Sequence, residues 1–297
     1  MQSHIGEIAA VLTAVCFTIN AIAYESAGKS VGSLSVSYIR LFIAFLLLSI
    51  SAFFSRGLAL PTDATGHTWF WLLASGTLGF VLGDIFLFAS LVELGSRIAL
   101  LIMSAAPPIT AIASFLIMGE RISPLGLVGM ALTMAGISLV ILSRNPEGNK
   151  VSLNRPVKGI IYASLGAVGQ ALGLVFGKFG MGTYNPFAAT QIRLVAAFVG
   201  YSIIITVGKK WTEIKDAFKQ KKAIRQIVIG SVFGPFIGVV LLLIALQYTA
   251  AGIVSSISSI SPVIIIPISI MIFKDKVLPR EILGALVSIA GVVLLFL

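Results

Sequence analysis

Charge is what this sequence has least of. Only 11% of its 297 residues are Asp, Glu, Lys or Arg, against 58% hydrophobic, and the mean hydropathy is +1.05. Soluble domains carry roughly a quarter charged residues, so this chain cannot wet its own surface and much of that surface must face lipid. A single cysteine, Cys16, excludes an intramolecular disulfide and any cysteine-built metal cluster. The two histidines, His4 and His67, stand apart, and no H-E-x-x-H, nucleophile elbow or phosphate loop is present. A polytopic membrane enzyme therefore lacks visible machinery, and no cofactor or metal is expected. The stretches "GERIS" and "KDKVLP" fall at turns on opposite membrane faces in the topology read below, so they cannot form one active site. A net charge of +10 would suit a nucleic-acid binder, but the basic residues lie in short segments between apolar runs, where topology accounts for them. No nucleic-acid partner is expected. "MQSHIGE" has no basic n-region and "LTAVC" no small residue before its cysteine, so the first apolar run reads as a retained helix.

What is abundant is long apolar sequence. A helix needs about 20 mainly apolar residues to cross a bilayer, and that window gives spans near 5–27, 33–55, 68–90, 96–118, 124–143, 157–179, 186–207, 225–247, 251–273 and 279–297. Asn185 before Pro186 and Ser123 before Pro124 read as an N-cap followed by proline at the first helical position. Prolines inside the fourth and ninth spans, Pro107 and Pro262, are expected to kink the helices around Met103 and Ser258. In the eighth span Pro235 adds a kink that the third has no proline to make.

The halves resemble each other. "IRLFIAF" (39–45) and "IRLVAAF" (192–198) match at an offset of 153, and from the third span the offset is 155: Gly79 with Gly234, Gly83 with Gly238, Pro107 with Pro262, Gly129 with Gly284, Gly136 with Gly291. Five spans is an odd number, so a duplicated unit enters the membrane from the opposite side. The expected fold is an all-α polytopic membrane protein of ten transmembrane helices, two inverted five-helix repeats around a central cavity. The repeats run over 1–145 and 155–297, and 208–224 forms an amphipathic connection. Seventeen Lys and Arg fall to the odd-numbered loops and four to the even ones. The odd loops then face the cytoplasm and both termini lie outside, in a cell inner membrane. In the connection, Trp211, Ile214 and Phe218 at i, i+3, i+7 suggest a short interfacial helix.

Ten spans in two halves, an arginine early in the second span of each, and the stretches "APPITAIASFLIMGERISPLGLVGMALTMAGISLVIL" (106–142) and "SPVIIIPISIMIFKDKVLPREILGALVSIAGVVLLFL" (261–297) resemble the EamA-type drug/metabolite transporters. The resemblance covers the whole chain and is closest to the YddG branch of aromatic-amino-acid exporters. It implies a ten-helix basket exporting amino acids or related metabolites. The runner-up substrate class is the drug or quaternary cation of short pumps in the same superfamily. Those pumps rely on an acid in the first span, and Glu7 lies near that span's start. The duplication supplies both halves of a pathway, so a monomer suffices.

Polar residues at mid-span are the candidates for binding, because each costs free energy unless it meets partners, water or substrate. Asn20, with Tyr24 one turn on, and Gln170 form one pair of matching faces; helix–helix hydrogen bonding is the alternative role. Arg40 and Arg193 match at the 153 offset: either each gates a carboxylate, or each snorkels or holds an ion pair, and symmetry favours the structural role. Ser258 lies where a kinked helix frees carbonyls. Gly79, Gly83, Gly234 and Gly238 are small residues for close packing. Tyr38 and Tyr248 are candidate aromatic walls. Asp84, in "LGDIFLFA", has no basic residue between Arg56 and Arg97, and its repeat counterpart is Val239. A carboxylate there must face the bundle interior, since lipid exposure costs at least ~2.5 kcal/mol. It is read as a cavity acid for a substrate ammonium or a coupling proton.

Overall fold

The computed structural model describes residues 4–94, 96–143, 157–261, 263–264 and 278–297. Pro262, residues 274–277 of "KDKVLP", the connection 144–156 and residues 265–273 of the expected ninth span lie outside them. Every regular element among the described residues is helical: α1 (Ile5–Val31), α2 (Ser33–Arg56), α3 (Gly66–Gly76), α4 (Asp84–Leu94), α5 (Ser96–Met103), α6 (Ala106–Met118) and α7 (Pro124–Ser143) come first. There follow α8 (Val157–Met181), α9 (Pro186–Val207), α10 (Trp211–Ala217), α11 (Lys221–Ser231), α12 (Val239–Tyr248), α13 (Ala251–Ser258) and α14 (Pro279–Leu295). Among the described residues, eight stretches are long and apolar enough to cross a membrane: Ile5–Val31, Ser33–Arg56, Gly66–Leu87, Ala99–Met118, Pro124–Leu142, Val157–Met181, Pro186–Val207 and Lys221–Tyr248. The tenth expected span is the 17-residue α14.

Local chemistry sets the ends. The Asn185 carboxamide oxygen accepts from the amides of Phe187 and Ala188, opening α9, and Ser123 Oγ accepts from Gly126 N at the start of α7. Gly57 and Gly119 close α2 and α6 with positive φ, 71° and 68°, which a side chain would resist. The proline-bearing stretch breaks where expected: α5 stops at Met103 and α6 restarts at Ala106, and α13 stops at Ser258.

One expectation is corrected. The departure from α-helix in the third and eighth spans does not depend on proline, because both carry a seven-residue π segment, Thr77–Gly83 and Val232–Gly238, at the 155 offset. Only the second contains Pro235. The shared cause is close approach. A Cβ added at Gly173 of α8 would lie 2.7 Å from Gly79 Cα, and one added at Gly234 would lie 2.8 Å from the Asn20 carboxamide on α1. Widening the helix by one residue per turn lets a neighbour press against those glycines.

Packing exchanges between the halves. α8 lies against α3, the first π segment, α4 and α5, while α1 lies against α11, the second π segment, α12 and α13. Gly159 meets Leu94 as Gly6 meets Thr249, and Gly83 meets Gln170 as Gly238 meets Phe17. The largest helix–helix contact joins α7 to α14, where Gly129 faces Gly291 and Gly136 faces Gly284. Large apolar side chains point outward in stripes, Phe42, Leu46, Ile50 on α2 and Leu286, Ile289, Val293 on α14, the pattern of a surface solvated by lipid. His4 stacks near Phe296 at 5.9 Å, so the first and last helices end at the same face.

Candidate functional site

The first π segment ends at Gly83, and the residue it delivers into the bundle is Asp84, 9% exposed at the head of α4. Arg40, two turns into α2, donates through Nη2 to Asp84 Oδ2 at 2.5 Å, and Gln170 of α8 donates through Nε2 to Oδ1 at 3.3 Å. Both charged side chains are largely enclosed, 15% and 13% exposed. The Arg40 guanidinium lies 5.4 Å from the centre of the Tyr24 ring, a cation–π contact. The Tyr24 hydroxyl reaches Ser231 Oγ at 3.5 Å, and the ring fills the space over Gly230 of α11. Asn20, one turn before Tyr24, has a buried Oδ1 with no hydrogen-bond donor among the described residues, and the Arg40 Nε is likewise unmatched.

The cluster thus draws on α1, α2, α4, α8 and α11. Its chemistry is a carboxylate shared by a guanidinium and an amide, with an unsatisfied amide oxygen and an aromatic face nearby. A buried carboxylate so held can exchange partners: a cationic group that replaces Arg40, or a proton on Asp84, frees the guanidinium. Among the described residues no group of three or more His, Cys, Asp or Glu is gathered to hold a metal.

The remaining candidates are dispersed. Tyr38 stacks on Phe198 at 4.8 Å, meets Trp211 edge-on at 5.4 Å and accepts from Ser202 at 3.4 Å. Tyr248 is 61% exposed at the end of α12, away from the cluster. Ser258 has a buried hydroxyl with no partner among the described residues, beside the break where Thr18 of α1 donates to the Ser261 carbonyl at 3.3 Å. Pro107 is buried at the start of α6. Gly79 and Gly83 lie against α8, Gly234 and Gly238 against α1. Arg193 is 4% exposed and has no carboxylate partner among the described residues; the Phe80 ring covers it at 4.8 Å.

A second polar region occupies the face carrying both chain ends, and sequence reasoning missed it. Asp63 accepts from the Tyr184 hydroxyl at 2.8 Å and pairs with Arg56, beside a cleft of about 570 Å³ that also takes in His67, Thr68 and Asn185. The Tyr184 hydroxyl, followed by Arg56, holds the Asp63 carboxyl below its ordinary range, and burial pushes the Tyr184 phenol up. Nearby, Lys178 pairs with Glu120 and donates to the Thr249 carbonyl at 2.6 Å, while Glu120 accepts from Ala251 N at 2.8 Å and so caps α13. The acid–base residues of "GERIS" and the single lysine at the end of the sixth span were the only signals in the sequence.

The comparisons agree with this architecture. Residues 4–142 and 157–297 each match the sequence profile of the EamA-like transporter family. A relative from Archaeoglobus fulgidus, described as an uncharacterized transporter, is 26% identical over 287 residues, covering 96% of this chain and 95% of its own. A crystal structure of a protein 16% identical in sequence superposes with a TM-score of 0.77 over 97% of this chain and 95% of that one, a likeness of fold.

Proposed function

The chain belongs to the EamA-like transporter family, a polytopic integral membrane protein, and on that premise we propose that it is a secondary carrier exporting amino acids, aromatic or other apolar ones among them, by alternating access. The observation that carries this reading is the Arg40–Asp84–Gln170 cluster, a paired charge buried between helices of both halves. Charges at such depth are costly and mark transport pathways. A substrate ammonium displaces Arg40 from Asp84, with Gln170 and Asn20 supplying further polar contacts. Proton uptake by Asp84 offers the same displacement, which is the means of coupling.

Alternating access follows from two inverted five-helix repeats, 1–145 and 155–297, with ten spans in all. The exchanged packing of α1 and α8 and the double family match support that arrangement. The connection 208–224, with α10 inside it, then lies on the cytoplasmic face of the inner membrane and both termini outside, in keeping with the distribution of Lys and Arg. One chain contains both halves, so the working unit is a monomer.

The test is counterflow of labelled amino acids into proteoliposomes loaded with unlabelled ones. Exchange by the wild type that is abolished in Asp84→Asn protein shown to remain folded supports the reading. Repeated absence of exchange across a broad amino-acid panel refutes it. A C-terminal reporter active only outside the cytoplasm tests the orientation, and activity of a cytoplasm-only reporter there would overturn it.

A further inference from the structure

Arg40 and Arg193 occupy the same place in the two halves, yet their surroundings differ. Around Arg40 stand an acid, Asp84, and a ring, Tyr24. At the corresponding offsets around Arg193 the chain has Val239 and Gly177. Val239 is apolar and 4% exposed. Gly177 has no side chain, and a Cβ added there would sit 3.7 Å from the Arg193 Cζ and Nη1. Across the guanidinium, a Cβ added at Gly79 would sit 3.7 Å from Nη2, and the Phe80 ring covers it at 4.8 Å. The nearby Ser75 hydroxyl is already donating to the Gly173 carbonyl at 2.5 Å.

The result is a guanidinium 4% exposed, with Nε and Nη1 buried and unmatched by any acceptor among the described residues. It does not snorkel, because snorkelling would leave the head exposed. It makes no ion pair there either, unlike its counterpart. Snorkelling and an ion pair are therefore both missing; the Phe80 ring gives a cation–π contact but no hydrogen-bond acceptor, and a buried cation without an anion is among the most unfavourable features a membrane bundle can hold. What removes that cost is an anion, and a planar carboxylate matches the guanidinium fork in two parallel hydrogen bonds.

We infer that Arg193 is the receptor for the carboxylate of the transported solute, at a site separate from Asp84. The inference deepens the carrier reading and rests on it for the nature of the solute. Gln170, which touches Asp84, and Gly177, which flanks Arg193, are seven residues apart on α8, about 10 Å of helical rise. Asp84 is held by Arg40 and Gln170 and does not touch Arg193, so a solute with a carboxylate and no ammonium still binds at Arg193.

The experiment uses the purified full chain in detergent with three probes sharing a phenyl group: 3-phenylpropionate, phenethylamine and L-phenylalanine. Methanesulfonate replaces chloride as the background anion, and a parallel arm with chloride alone separates an inorganic-anion site from a carboxylate site. The wild type should bind 3-phenylpropionate and L-phenylalanine. Arg193→Gln should weaken both by about ten- to a hundredfold, the range of lost charge-assisted hydrogen bonds, and leave phenethylamine unchanged. Arg193→Lys should retain an intermediate affinity. The ligand-free melting temperature of Arg193→Gln should not fall, since a bare charge has been removed, whereas an arginine that holds the fold would lower it. Equal 3-phenylpropionate binding by wild type and Arg193→Gln overturns the inference, as does saturation of the site by chloride alone or absence of carboxylate binding to the wild type. Carboxylate binding through Arg193 without amino-acid counterflow would sink the amino-acid carrier and keep the anion site; counterflow indifferent to Arg193→Gln would do the reverse.

Discussion

Replacing Asp84 with Asn keeps the side chain's shape and removes its charge, which isolates what the pairing with Arg40 contributes. Two magnitudes compete. Neutral hydrogen bonds between membrane helices average only about 0.6 kcal/mol. Breaking a buried ion pair by removing one partner costs about 3–5 kcal/mol, because the other charge is left in a low-dielectric interior. Both side chains are enclosed, 15% and 13% exposed, and the bond is 2.5 Å long, so the second figure governs. Asp84→Asn and Arg40→Gln should each destabilise the protein by about 3–5 kcal/mol. The double variant, which leaves no bare charge, should recover most of that loss. The assay is unfolding in mixed micelles followed by the fluorescence of the chain's three tryptophans. An Asp84→Asn loss of only about 0.6 kcal/mol, or single losses that add in the double variant, would refute the argument that charge pairing holds this cluster.

Three further outcomes are expected. Pro235→Ala should change stability by no more than about 1 kcal/mol and leave the departure from α-helix in place, since Thr77–Gly83 forms the same π segment without proline; a larger loss in melting experiments would tie that departure to the ring. Gly136→Ala should cost about 1–3 kcal/mol, because its Cβ would meet the Gly284 carbonyl at 2.5 Å and push α7 off α14, whereas Gly28→Ala, with nothing within 4 Å, should be neutral or stabilising. The Asp63 carboxyl is held below its unfolded value, so its contribution is present above about pH 4 and fades as pH falls through the lower folded value. Thermal melts of Asp63→Asn should accordingly differ from wild type at neutral pH and converge with it in acid; a difference that persists at pH 2 would contradict the assignment.

The parts of the fold legible in sequence were those set by composition and neighbours in the chain. Apolar length marked ten spans, eight of which stand as long apolar helical stretches among the described residues; Asn185 and Ser123 marked helix starts, and a proline marked the break before Ala106. The π segment at Thr77–Gly83 was not legible, because its cause is the backbone of α8 arriving at Gly79, a contact nearly a hundred residues away in sequence. Asp84 was singled out by the cost of a carboxylate in an apolar run, and a partner inside the bundle followed from that cost. Which partner it was did not follow, since Arg40 lies on another helix and the offset pointed it toward Arg193 as its equal. The Arg56–Asp63–Tyr184 group combines a helix end with two separate loops, and no periodicity announces it.

The seam between α7 and α14 has one more property. Gly129 meets Gly291 and Gly136 meets Gly284, so each helix offers the other the same two glycines in reverse order. That is the geometry by which two identical subunits recognise each other: a self-complementary patch, used here once within a single polypeptide. Every substitution that suits one side of such a patch has an equivalent on the other, and the two must vary together. Cutting the chain within "EGNKVSLN" (147–154) should then yield halves that find each other again when produced together, with co-purification as the readout. The seam would act as a dimer interface, and the severed linker as no more than a tether.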